Sequence, residues 1–104
     1  MQDLTLVIPA KHESESLPIF LKEIDQFLCK KIIVLDKNDF RTIDAIKNFK
    51  EIKILYQKKR GYGSALIEGI NSVNTPFFCI INADGSMNPS YLSKMLQSVK
   101  NYNL

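Results

Sequence analysis

Short apolar runs alternate along this chain with stretches in which apolar residues recur every three or four positions. Leu4-Thr5-Leu6-Val7-Ile8 reads as a buried strand closed by Pro9. Leu17, Phe20, Leu21, Ile24, Phe27 and Leu28 then form one helical face, with Ser16 as the expected N-cap and Pro18 suited to the first turn. A second strand, Ile32-Ile33-Val34-Leu35, ends at Asp36. A weaker helix is expected from about Thr42 to Phe49, and a third strand from Ile52 to Tyr56. A basic loop with two glycines, Lys58-Lys59-Arg60-Gly61-Tyr62-Gly63, leads into a helix with Ala65, Leu66, Ile70 and Val73 on one face. Phe77 to Ile81 is the fourth expected strand, and Pro89 starts a last helix with Leu92, Met95, Leu96 and Val99 inward.

This βα alternation predicts an α/β fold with a mainly parallel, doubly wound sheet and right-handed crossovers. The strands are continuous apolar runs, as expected when helices cover both faces. At 104 residues the chain holds one domain. There is no repeat, linker or low-complexity segment. The end of the sequence, soon after the last helical pattern, suggests the N-terminal portion of a larger catalytic domain.

Composition narrows the classes of function. A net charge of +3 suits an anionic ligand. No basic stripe is interleaved with aromatics, so nucleic acid is not an expected partner. Cys29 and Cys79 form no CxxC and have no neighbouring His at metal-ligand spacing, so both are expected to be reduced core residues of a cytoplasmic protein. The start, Met1-Gln2-Asp3-Leu4, does not look like a signal peptide. No apolar run approaches the roughly 20 residues that span a bilayer.

In a doubly wound sheet, ligands bind outside the carboxyl ends of the strands. The residues expected to converge there are Pro9 to Glu13, Asp36, Gln57 to Gly63, and Asn82 to Ser86. Asp84 is the sharpest candidate: alone it can simply start a turn with Gly85, but Asn82 and Ser86 add oxygen ligands two residues to either side of its carboxylate. Such a turn can hold a divalent cation that also binds substrate phosphates. Taken alone, Arg60-Gly61-Tyr62-Gly63 reads as an exposed basic turn; alternatively its glycines precede a helix, where free N–H groups favour a phosphate, and Arg60 and Lys59 can add charge-assisted contacts. Asp36 can accept hydrogen bonds from a base or ribose, or else cap its own turn. His12 is the only histidine and is expected to be solvated.

Together these segments resemble the nucleotide-binding half of a family 2 glycosyltransferase with the GT-A fold. The likeness rests on Leu6-Val7-Ile8-Pro9-Ala10-Lys11-His12-Glu13 with Leu17-Pro18, and on Val34-Leu35-Asp36. It continues through Arg60-Gly61-Tyr62-Gly63-Ser64-Ala65-Leu66 with Gly69-Ile70, and Asn82-Ala83-Asp84-Gly85-Ser86 with Pro89. The last two segments look most like the branch that transfers a sugar to a polyprenyl phosphate.

The resemblance implies a Rossmann-like GT-A sheet and inverting transfer from a UDP- or GDP-sugar. Pro9, Ala10 and Glu13 are then expected in the base and ribose pocket, with Asp36 beside the base. Arg60 and Gly61 are expected near the phosphates. Asp84 is the implied catalytic, metal-binding carboxylate of a DxD-type motif, with Asn82 at the first Asp position, Ala83 between them and Ser86 as a further metal ligand. The implied metal is Mg²⁺ or Mn²⁺. The acceptor is a polyprenyl phosphate or a saccharide, bound by sequence beyond residue 104, and the implied location is the cytoplasm or the cytoplasmic face of a membrane. The family usually has an aromatic residue and Asn where this chain has Lys11 and His12, and often Asp at Lys37. With Asn82 in place of Asp, these departures predict weaker metal binding and leave a catalytically silent nucleotide-binding module as the alternative. A receiver-like domain is disfavoured because the first strand ends in Pro9-Ala10-Lys11, without an acidic cluster. A nucleotidyltransferase-like domain would need a Gly-rich basic loop there.

Overall fold

A computed structural model describes residues 3–25 and 27–83. The last expected helix, with Asp84 and Ser86, lies outside the described residues. Among the described residues seven elements follow one another: β1 (Leu4–Pro9), α1 (Ser16–Ile24), β2 (Lys30–Leu35), α2 (Phe40–Ile46), β3 (Lys53–Tyr56), α3 (Tyr62–Asn71) and β4 (Phe77–Ile80). The four strands form one parallel sheet in the order β3-β2-β1-β4. Val7 stands at the centre, in register with Ile32 on one side and Ile80 on the other.

This order explains how the helices are distributed. The chain steps outward from β1 to β2 to β3, then returns past β2 and β1 to β4. Crossovers of one hand cover one face on the way out and the opposite face on the way back. Strand alternation sorts the side chains accordingly. Leu4, Leu6 and Ile8 of β1, with Ile33 and Leu35 of β2, pack with Leu17, Phe20, Leu21 and Ile24 of α1 and Ile46 of α2. Val7, Ile32 and Val34 point to the other face and meet Ala65 of α3. The polar members of β1 and β2 are accommodated. Thr5 shares a 2.7 Å hydroxyl hydrogen bond with Thr75. Buried Lys31 donates its ammonium to the Phe27 carbonyl at 3.0 Å, beyond the C-terminus of α1.

Gly69 sets the distance between α3 and the sheet. A Cβ there would lie 2.6 Å from Val7 Cγ1 and 3.0 Å from Val34 Cγ2. Both valines are fully buried and β-branched, so neither can move aside by rotating a flexible tail.

Three local expectations are corrected. Ser16 is the first helical residue of α1, not its N-cap, and its hydroxyl donates to Glu13 Oε2. The helix ends at Ile24 rather than continuing to Leu28, which is exposed, while Phe27 is half-buried against the core. The carbonyls at that end are met by short-range amides, Asp25 N to Lys22 O and Phe27 N to Ile24 O. Helix α2 begins earlier than its apolar pattern suggests, at Phe40, whose ring is exposed. Cys29 and Cys79 are unpaired and half-buried, and burial raises both thiol pKa values, which keeps them unreactive.

Candidate active site

The strand order reverses between β1 and β4, and a crevice opens there at the carboxyl ends. It encloses about 630 Å³ and draws on every strand. Pro9, Ala10, Lys11 and Glu13 come from the end of β1, and Asp36 and Asn38 from the end of β2. Gln57, Arg60 and Gly61 follow β3, Tyr62 and Ala65 belong to α3, and Asn82 follows β4. That volume suits a ligand of nucleotide size.

The wall after β1 is tied to α2. Ala10 extends the sheet ladder by donating its amide to Val34 O at 3.0 Å. His12 turns the chain with a φ of 55°, and its amide donates to Asp39 Oδ2 at 2.8 Å. The Glu13 amide donates to Thr42 Oγ1 at 3.1 Å. Asp39 and Thr42 are both buried. Burial alone would raise the Asp39 pKa. The His12 amide, with the hydroxyl and amide of Thr42 that face the carboxylate, outweighs this and lowers it. The His12 ring stays exposed, 3.9 Å from the Asp39 carboxylate, and lines a neighbouring smaller cavity with Arg41 rather than the main crevice.

Asp36 has both roles open to it in the sequence. Its Oδ1 accepts the Asn38 amide at 2.8 Å, closing the turn after β2. The same residue lines the crevice.

The loop after β3 is tied to α3. The Gln57 amide donates to Leu35 O at 2.8 Å, continuing the ladder. Its side-chain amide donates to the carbonyls of Lys59 at 2.7 Å and Gly61 at 3.3 Å. Glu68 Oε1 accepts the Lys58 amide at 2.8 Å, and Oε2 accepts the Lys59 amide at 3.2 Å. These two backbone bonds lower the Glu68 pKa. Gly61 then enters α3 at φ 103° and ψ 156°, a conformation essentially restricted to glycine. Among the described residues no atom lies within 4 Å of a Cβ placed there, so it is the backbone conformation that requires glycine.

At the far side, Tyr62 donates its hydroxyl to Asn82 Oδ1 at 3.0 Å, joining the start of α3 to the end of β4. Ala83 is buried in the core and does not line the crevice. Of the expected site residues, Pro9, Ala10, Glu13, Asp36, Arg60, Gly61 and Asn82 therefore share one crevice. Asp84 and Ser86 lie outside the described residues. Among the described residues, neither Lys11 nor Arg60 takes part in the ion pairs found, such as His12–Asp39 and Lys47–Asp44. The crevice thus combines the carboxylates of Glu13 and Asp36 with the cations of Lys11 and Arg60.

The sequence model of the family described as Glycosyl transferase family 2 matches residues 5–104. The chain belongs to that family. The four-stranded parallel sheet agrees with its GT-A, Rossmann-like α/β fold. Uncharacterized glycosyltransferases of Mycobacterium tuberculosis and Mycobacterium bovis are 31% identical over 93 residues, covering 89% of this chain and 42% of theirs. A dolichol-phosphate mannosyltransferase of Pyrococcus furiosus is 24% identical over 106 residues, covering 94% of this chain and 30% of its own length. The chain thus spans less than half the length of these relatives. Within this glycosyltransferase domain, pattern reading did not single out Asp39, Thr42 and Glu68, which hold the walls. Asp39 stands directly before a helix, where a carboxylate is a recognisable signal. Glu68 has no local signal, because its partners are ten and nine residues away.

Proposed function

We propose that this family 2 domain binds the nucleotide half of a UDP- or GDP-sugar and presents the sugar for inverting transfer. The observation that carries this reading is the crevice at the strand-order reversal, with carboxylates and cations in one concavity. A nucleoside diphosphate needs both: acceptors for base and ribose hydrogens, and cations for the phosphates. Asp36 and Glu13 are assigned to the base and ribose, within a wall that includes Pro9 and Ala10. Arg60 is assigned to the diphosphate, beside the backbone of Gly61. Asn82, and Ala83 through its backbone, complete the nucleotide side next to Asp84. The Pyrococcus relative's name supports a polyprenyl phosphate as acceptor, with a saccharide as the other candidate.

The described residues do not by themselves hold a metal. No group of three His, Cys, Asp or Glu converges among them, and Asn82 Oδ1 already accepts the Tyr62 hydroxyl. The proposal therefore places Mg²⁺ or Mn²⁺ on Asp84 and Ser86. Such an ion, when bound, offsets charge on the departing diphosphate. The chain's own contribution is binding and orientation. Asp36 has one oxygen committed to its turn, so the direction of its other oxygen is set. Glu13 is similarly fixed through Ser16. Arg60 meets negative charge that grows as the sugar–phosphate bond breaks. The acceptor site and any general base are assigned to the part of the enzyme that follows this domain, at the cytoplasmic face of a membrane if the acceptor is a lipid. No helix among the described residues is long and apolar enough to cross one.

Calorimetric titration of UDP and GDP, with and without Mn²⁺, tests the reading on the wild type and Asp84→Ala. Binding of one nucleotide, strengthened by Mn²⁺ and lost in the variant, is the expected result. A folded chain that binds neither nucleotide would overturn it.

A further inference from the structure

The loop Gln57–Gly61 carries Arg60 into the crevice, yet it is exposed and has no apolar anchor in the core. Its shape rests on polar contacts. The amides of Lys58 and Lys59 are consecutive, and consecutive amides form a concave cradle for an anion. Here the anion belongs to the protein. Each oxygen of Glu68 accepts one amide, at 2.8 and 3.2 Å, which sets the plane of the carboxylate as well as its position. From the other side, Gln57 donates to the carbonyls of Lys59 and Gly61. Arg60 lies between the residues held this way.

We propose that Glu68 is a positioning residue of the nucleotide pocket: by accepting the Lys58 and Lys59 amides, its carboxylate holds the loop that presents Arg60 and Gly61 to the diphosphate. This rests on the nucleoside-diphosphate reading above. A purely stabilising role does not account for the arrangement. The two amides are exposed, and water would satisfy them if Glu68 were absent. What water cannot supply is a fixed loop geometry, and a displacement of about 1 Å at a binding or catalytic group is costly to function.

Glu68→Gln keeps the side-chain shape but offers only one acceptor oxygen. Its NH₂ then opposes a backbone N–H. Glu68→Ala removes the contact and favours the helix, so folding is not at risk. The charged side chains facing Glu68 are those of Lys58 and Lys59, which remain in both variants. The amide protons of Lys58 and Lys59 are followed by NMR as pH is lowered, in parallel with calorimetric titration of UDP and GDP. In the wild type both resonances are expected to move together, with one acidic midpoint below that of an ordinary glutamate. In both variants that movement is expected to vanish, nucleotide binding to weaken on the order of tenfold, and the melting temperature to hold. Unchanged affinity after loss of the resonance movement would overturn the positioning role. Absence of the movement in the wild type would overturn the clamp itself. A wild type that shows the movement but binds neither nucleotide overturns the functional reading instead, and the role in nucleotide binding with it.

Discussion

The two walls of the crevice are both held by a carboxylate that accepts their backbone amides, Asp39 just before α2 and Glu68 within α3, but the anchors differ in burial. The wall after β1 is held by Asp39, which is buried with Thr42 at the start of α2. The wall after β3 is held by half-buried Glu68 of α3, whose bonds to the loop amides are exposed. Losing the first anchor leaves polar groups without partners in places water reaches poorly. Losing the second leaves amides that water can satisfy. The same chemical device therefore couples one wall to the stability of the fold and the other only to the shape of the site.

Four substitutions and a pH series can break or sharpen this contrast. The largest effect is expected for Asp39→Ala, which strands the His12 amide and removes the carboxylate facing Thr42. A loss of about 2–3 kcal/mol in a urea melt is expected, together with weaker nucleotide binding. If stability were untouched, the buried wall would be no different from the exposed one. Gly61→Ala comes next, because alanine does not tolerate the observed φ of 103°. A cost of about 1–2 kcal/mol is expected, and a helix start that shifts to relieve it should also displace Arg60. Tyr62→Phe removes the bond to Asn82 on the surface and should cost at most about 1 kcal/mol. Its informative readout is the Mn²⁺ dependence of nucleotide binding, which should increase if Asn82 Oδ1 becomes available to the ion. The smallest effect on stability is expected for Glu68→Gln, with no measurable change in melting temperature but a clear fall in affinity.

Acid separates the walls in a second way. The folded-state pKa of Asp39 is lowered, so its contribution to stability is present above the unfolded value, about 3.9. It is lost as pH falls through the lower folded value. Wild type should lose stability across this acidic range more steeply than Asp39→Asn, which has no titrating group there. Parallel urea melts at pH 7 and at successively lower pH check the slope, and equal slopes would remove Asp39 as the source.

Much of this molecule was legible before any coordinates. The apolar runs placed all four strands to within about two residues of their bounds; in β1 and β2 the reason is burial on both faces, which demands continuous apolar sequence. Helix ends were less legible. The apolar spacing continues through Phe27 and Leu28, but the helix stops at Ile24. Periodicity records which residues are apolar, not where the backbone leaves the helix. The convergence of Glu13, Asp36, Arg60 and Asn82 on one edge was legible too, because parallel strands put every carboxyl end on the same side. Ala83 was assigned to the site by its place in a motif, and its side chain packs in the core, which leaves only its backbone for such a role.

By itself, then, the sequence determined the α/β alternation, the edge on which chemistry gathers and the family to which the chain belongs. These depend on local patterns and on short ordered motifs. Only the tertiary structure decided that Gly69 is the contact on which α3 rests, that Tyr62 engages Asn82, and that Asp39 and Glu68 hold the walls. Each of those is a pairing between side chain and backbone, or between side chains, nine or more residues apart. A local pattern carries no trace of such a pairing, because the partner's distance and direction are set by how the elements pack.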